Sequence, residues 1–286
     1  MISKEQFKKE LEIIIANGLR EDVGSGDYSS LACIPAKEMG KAKLLVKDTG
    51  VIAGVAFAKM IFEYVDPELQ VEILIEDGSE VNYGDVVFYV SGRSQSLLKA
   101  ERLVLNSMQR MSAIATKTAS YVKLLEGTTT KILDTRKTTP GFRACEKWAV
   151  TIGGGENHRF ALYDMIMLKD NHIDFAGGIP QAIAKTKQYL VDQNKDLKII
   201  VEARNLDEVA QILSSGGVYR ILLDNFDYET TKKAVEMIGN QSFTESSGNI
   251  NERTIRNYAE CGVDYISSGA LTHSVYNMDL SLKAID

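Results

Sequence analysis

Apolar and polar residues along this chain follow two rhythms. Residues 41 to 95 carry short apolar runs closed by Gly, Asp or Asn: AKLLVKD, GVIAGVAFA and VEILIEDGSEVNYGDVVFYVSG. Such runs predict strands, and the last reads as strand, turn (Val81-Asn82-Tyr83-Gly84) and strand. It resembles half of a lipoyl-type hairpin, but no lysine sits at the turn to carry a group. The opening stretch, MISKEQFKKELEIIIANGL, predicts an amphipathic helix. In residues 100–118, Val104, Met108, Met111 and Ala115 recur at i, i+4, i+7 and i+11, the stripe of a helix buried along one side. Arg102, Asn106 and Gln109 share the opposite side, where a solvated face is the plainest reading.

The C-terminal half repeats a unit. Apolar strands KIIVEA, YRILLD, SFTES and VDYISS end near positions 202, 224, 246 and 268, a spacing of about 22 residues. Helical stretches NLDEVAQILSSGG, DYETTKKAVEMIG and ERTIRNYAECG lie between them. Strand and helix alternating on short links predict a parallel sheet, and this many units favour a TIM-like barrel over a doubly wound sheet. No GxGxxG follows a first strand, which weighs against a dinucleotide fold. Barrel enzymes gather their chemistry at the C-terminal ends of the strands. Those ends here carry Glu202, Arg204, Asp224, Ser247 and the pair Ser268-Gly269.

Composition narrows the choices. A net charge of −6 argues against a nucleic-acid or membrane-surface binder. No stretch approaches the roughly 20 apolar residues of a membrane span, and the opening helix has no signal-peptide pattern. Three scattered cysteines, Cys33, Cys145 and Cys261, show neither metal spacing nor a disulfide framework, so a reducing cytoplasm is expected.

Within this acidic chain, residues 131 to 173 concentrate positive charge. Arg136 and Lys137 follow the strand KILD, Arg143 lies just beyond Pro140-Gly141, and Lys169 follows the strand MIML. Between them, Gly153-Gly154-Gly155 lead into Glu156-Asn157-His158-Arg159. Two of the chain's three histidines, His158 and His172, lie here, with no HxH or HxxxH pair to hold zinc. Clustered cations at strand ends of an acidic protein point to a small anionic ligand: Arg offers a fork to carboxylate or phosphate, Lys a point charge.

EDVGSGDYSS, AERLVLNSMQRMSAIAT, DTRKTTPGFRACEKWAV, GGGENHR, LKDNHI, LLDNF, ESSGNI and VDYISSGALTHS resemble, in order, the blocks of the quinolinate phosphoribosyltransferase family. The resemblance implies an α/β protein with an N-terminal α/β sandwich domain over residues 1–114 and an incomplete, seven-stranded TIM-like barrel over 115–274, with the tail 275–286 packing back on the first domain. It implies transfer of phosphoribosyl from phosphoribosyl pyrophosphate to quinolinate with Mg2+, giving nicotinate mononucleotide, pyrophosphate and CO2. It further implies a homodimer with shared sites, in some members a hexamer, and no nucleic-acid or membrane partner. By position, Arg102 would reach the partner's site, and Arg136, His158 and Arg159 would grip the carboxylates, with Thr135 beside them. Lys137 and Lys169 would sit between dicarboxylate and phosphates. Asp224 would serve ribose and metal, and Ser247, Gly248, Asn249 and Gly269 would hold the 5′-phosphate.

Two positions depart from the family pattern. Arg204 stands where a second Glu is usual, leaving it to bind phosphate or to pair with Asp224, while Glu202 is expected to face away. Asn249 stands where Gly is usual, and Asn tolerates the left-handed conformation. The departure at Arg204 keeps a paralogue of the same barrel in view, such as the molybdenum-transport-associated homologue or a nicotinate-specific enzyme. A Schiff-base barrel using Lys137 or Lys169, and a non-catalytic binding protein, are the more distant alternatives.

Overall fold

The computed structural model describes residues 2–285. In chain order its elements begin with α1 (Lys4–Asp22), α2 (Tyr28–Cys33), β1 (Met39–Val46), β2 (Gly50–Val51), α3 (Val55–Val65), β3 (Gln70–Ile73), β4 (Glu80–Val81), β5 (Val86–Arg93) and α4 (Ser94–Leu124). Then come β6 (Lys131–Leu133), α5 (Arg143–Ile152), β7 (Ile166–Leu168), α6 (Asp170–Ala176), α7 (Ile179–Asp192), β8 (Ile199–Ala203), α8 (Leu206–Ser215) and β9 (Arg220–Asp224). The chain closes with α9 (Tyr228–Ile238), β10 (Phe243–Ser247), α10 (Ile255–Ala259), β11 (Tyr265–Ser267), α11 (Ala270–His273) and β12 (Leu280–Ile285). These elements form two compact units: residues 3–119, 137–154 and the segment from Leu271 make one, residues 120–136 and 155–270 the other. Neither follows a single cut near residue 114.

The first unit is built on an antiparallel sheet in the order β12-β1-β5-β3. Its helices bury one stripe each: Leu11, Ile14 and Ile15 on α1, and Phe57, Ala58, Ile61 and Phe62 on α3. Phe62 meets Phe88 of β5 edge to face at 5.9 Å, seating α3 on the sheet. Ser3 starts α1 by accepting the Gln6 N–H at 3.1 Å. The predicted hairpin is only partly realised. β3 pairs with β5, but β4 leaves to pair with β2. The intervening Asp77 accepts the N–H groups of Val55 and Ala56, capping α3, whose own N-cap is Gly54. A distant capping demand thus pulls the middle of the hairpin away.

The second unit holds six parallel strands in the order β6-β11-β10-β9-β8-β7. The expectation of seven strands is corrected to six: beyond β6 the segment at Glu156 makes only an isolated parallel bridge to Leu133 and forms no strand. Each βα link has a local reason. Asn205 accepts the Glu208 N–H at 2.9 Å to start α8, and Asp227 accepts the Thr230 N–H at 2.7 Å to start α9. Gly216 and Gly239, both at positive φ, stop those helices. The expected helix over 252–262 contracts to α10, because Asn251 and Thr254 bond each other in a turn just before it.

Candidate active site

The C-terminal ends of the parallel strands collect the site residues of the second unit. After β6, the fully buried Asp134 accepts the His158 N–H at 2.9 Å, and its own N–H donates to the Glu156 carbonyl. The Glu156–Arg159 segment is therefore stitched to the end of β6. His158 Nδ1 accepts the Arg159 N–H at 2.7 Å, and Nε2 lies 3.3 Å from Glu245 Oε2. Both ring nitrogens are committed within the protein. The ring expected to grip a carboxylate is thus held by Arg159 and Glu245.

Arg159 is only 8% exposed, and one of its terminal nitrogens donates to the Met165 carbonyl at 3.3 Å. Burial, and then the neighbouring Arg136 charge, lower its pKa from the ordinary arginine value, while Asp164 acts the other way. The buried Nε of Arg136 has no acceptor among the described residues. Two close guanidiniums, one desolvated and one with an unanswered donor, make a place that gains by receiving carboxylate oxygens.

Lys169, one residue past β7, places Nζ 3.0 Å from Glu202 Oε2. Its N–H donates to His172 Nδ1 at 3.1 Å, so His172 serves the start of α6. Glu202, expected to face away, meets the site lysine, and Arg204 does not. Position 204 lies past Ala203, the last residue of β8, so strand alternation no longer governs it. The Arg204 N–H and Nε donate to Glu208 at 2.7 and 2.8 Å, and its Nη2 lies 3.5 Å from Asp174. In place of the expected pairing with Asp224 or a phosphate, the Arg204 guanidinium lies on these two carboxylates.

Asp224 ends β9 and accepts the Asn225 Nδ2–H at 2.9 Å. Asn225, at φ +56, donates its N–H to the Ser247 carbonyl and accepts from Asn249 at 3.2 Å. Gly248 is at φ +95, and a Cβ there would overlap the Asn225 side-chain oxygen. Asn249 takes φ +50, the left-handed conformation its side chain allows. Ser247, Gly248 and Asn249 thus form one tight turn keyed to Asn225. On the neighbouring strand end, before Gly269, the Ser268 N–H donates to the Leu133 carbonyl. Thr135 is half-buried after β6, beside Asp134.

Sequence reasoning overlooked Asn225, Arg220 and Glu245. Glu245 is fully buried, and its Oε2 accepts Arg220 Nη1 at 2.7 Å, with the guanidinium carbon 4.0 Å from the Tyr265 ring centre. Burial alone would raise the Glu245 carboxyl; its contacts with His158 and Arg220 outweigh that and lower it. The available signal was the period of two, which sets Glu245 on the face of β10 that carries Ser247.

In the first unit, Arg102 and Lys137 are exposed, Arg102 on α4. The Lys137 carbonyl accepts the Thr272 hydroxyl at 2.9 Å. The buried Glu146 carboxylate gathers the Thr139 N–H at 3.0 Å, the Thr139 hydroxyl at 2.7 Å and Arg110 at 2.9 Å, pinning the loop beyond Lys137. Gln109 is spent on the Leu280 carbonyl at 3.1 Å. Among the described residues no group of three or more His, Cys, Asp or Glu side chains could hold a metal, and no helix is long and apolar enough to cross a membrane.

A parallel α/β sheet with cations, carboxylates and a glycine turn at its strand ends defines an enzyme for small, multiply charged anions. The quinolinate phosphoribosyl transferase N-terminal domain matches residues 27–112, and the C-terminal domain of the same family matches 114–283. The nicotinate-nucleotide pyrophosphorylase [carboxylating], chloroplastic, of Arabidopsis thaliana is 45% identical over 291 residues, covering 96% of this chain and 82% of that protein. The crystal structure of NadC from Streptococcus pyogenes superposes with a TM-score of 0.88 at 38% identity, covering 100% of this chain and 99% of that one. The nicotinate-nucleotide pyrophosphorylase of Francisella tularensis gives 0.88 at 36% identity, covering 97% and 96%. The chain belongs to the quinolinate phosphoribosyltransferase family and is a phosphoribosyltransferase.

Proposed function

We infer that this enzyme joins quinolinate to the ribose of phosphoribosyl pyrophosphate, releasing pyrophosphate and CO2 and forming nicotinate mononucleotide. The observation that carries this reading is the buried Arg159 beside Arg136, whose Nε has no acceptor among the described residues. A pyridine with two adjacent carboxylates answers such a pair. Arg136 and Arg159 would hold the carboxylates, and Lys137 and Lys169 would lie between them and the phosphates. The Ser247-Gly248-Asn249 turn, with Gly269, would take the 5′-phosphate on backbone N–H groups. Thr135 would line the same ring, whereas His158 supports it from behind.

The reaction needs no side-chain nucleophile. The pyridine nitrogen lone pair forms a bond to ribose C1 as the C1–pyrophosphate oxygen bond breaks, its electrons leaving on pyrophosphate. Held in line, the partners react mainly through positioning and charge stabilisation. The ring nitrogen is then cationic. The C–C bond to the adjacent carboxylate breaks, CO2 departs, and the electron pair left on the ring carbon beside N+ takes a proton. Mg2+, when bound, neutralises pyrophosphate charge. Asp224, at the end of β9, would be the carboxylate that holds it, since one or two protein carboxylates with substrate oxygens suit this cation.

The same reading makes the protein a homodimer in which the exposed Arg102 enters the partner's site, with hexamers as assemblies of such dimers. Its cysteines are unpaired, which fits the reducing cytoplasm. The substrate rival draws on Arg204 standing where the family has Glu, and release of CO2 from quinolinate separates the two readings. Purified protein supplied with quinolinate, phosphoribosyl pyrophosphate and Mg2+ is expected to release pyrophosphate and CO2 in equal amounts. Turnover of nicotinate instead, or pyrophosphate without CO2, would overturn the reading.

A further inference from the structure

Glu245 is a full negative charge inside the parallel sheet, fully buried and bonded to a guanidinium that is itself only 5% exposed. Apolar residues of similar size would stabilise such a place at least as well. A purpose beyond stability is therefore needed, and the geometry above Glu245 supplies one. His158 Nδ1 accepts the Arg159 N–H, so that nitrogen carries no proton. The proton of the neutral ring then sits on Nε2, aimed at Glu245 Oε2 3.3 Å away. A continuous train results: Arg220 orients Glu245, Glu245 orients the His158 ring, and the ring fixes the Arg159 backbone. Asp134 holds the same segment from β6 through the His158 N–H.

We propose that Glu245, backed by Arg220, is a positioning residue that locks His158 in its Nε2–H form and thereby aims Arg159 at the acidic substrate. The proposal rests on the dicarboxylate reading and deepens it: the specificity of the arginine pair is set from beneath the site, by groups that never touch substrate.

The chain has only three histidines, so His158 is readily assigned in a two-bond 1H–15N spectrum by its absence from a His158→Gln variant. In the wild-type protein Nδ1 is expected to be unprotonated and Nε2 protonated. In Glu245→Gln the quinolinate KM should rise about tenfold, the weight of one misplaced charged hydrogen bond. The phosphoribosyl pyrophosphate KM should stay put. Should Glu245→Gln fail to fold with Arg220 left unanswered, the double variant Glu245→Leu with Arg220→Met removes both charges and should show the same split. A wild-type Nδ1–H form, an unchanged quinolinate KM in a folded variant, or a parallel rise in both KM values would overturn the proposal. Calorimetry on the wild type separates the two layers. If it binds no quinolinate, the substrate reading fails. If it binds quinolinate and the variants bind it equally well, only the positioning role fails.

Discussion

Replacing Lys169 by Met removes one positive charge and keeps the aliphatic stem. The pair it breaks is uneven: the Lys169 side chain is 47% exposed, Glu202 only 9%. A half-exposed lysine is screened by water, so the pair contributes about 1 kcal/mol or less to folding. That predicts a fall of a few degrees in melting temperature at most. Catalysis should suffer far more. A preorganised charge aimed at a leaving or accepting anion is worth roughly 100- to 1000-fold in kcat, about 3–4 kcal/mol. Steady-state pyrophosphate release and calorimetric melting on the same preparation give both quantities. Turnover reduced by less than roughly tenfold, about 1.4 kcal/mol, would refute the placement of Lys169. So would a melting temperature low enough to account for the whole loss.

Acid should unfold the protein partly through Glu245. Its carboxyl is held below the ordinary 4.5, with Arg220 bonded to it, so its contribution is complete above pH 4.5 and is lost as pH falls through the lowered value. Denaturant titrations at stepped pH should show wild type losing stability over this range and Glu245→Leu with Arg220→Met not losing it. Mixing Arg102→Ala with Lys169→Ala protein should restore part of the activity through hybrid dimers, and no recovery despite proven subunit exchange would count against shared sites. Gly248→Ala forces a Cβ into the Asn225 side chain at φ +95, costing about 1–3 kcal/mol of strain. It should raise the phosphoribosyl pyrophosphate KM and leave quinolinate binding intact in a binding assay.

The repeat of strands and helices in the second unit was legible in part because α8 and α9 carry their own punctuation, an Asn or Asp to start the helix and a glycine to stop it. The cations of 131–173 were legible as charge out of keeping with an acidic chain. The roles of Glu202 and Arg204 were not. Alternation is a rule for strands, and β8 ends at Ala203, so which of the two meets Lys169 depends on where the ladder stops. Glu208 decided the outcome by drawing Arg204 onto the first turn of α8. His158 misled for a related reason. A histidine beside an arginine reads as a ligand, and only the fold reveals that Glu245, 87 positions on, holds the ring from behind. Partners supplied by another strand leave no local pattern.

The pairing of β12 with β1 bears on how the protein is made. Lys41 lies opposite Ile285, so the strand flanking β1 in the first sheet comes from nearly the other end of the chain. On the ribosome β1 and β5 emerge early, and the edge of β1 must wait, unpaired, while the whole parallel sheet is synthesised. An uncovered strand edge invites pairing with another chain. The first sheet, although β1 and β5 precede every parallel strand in the chain, is thus finished after them. A nascent chain stalled before residue 280 would expose the β1 edge as a target for a chaperone or for its own kind.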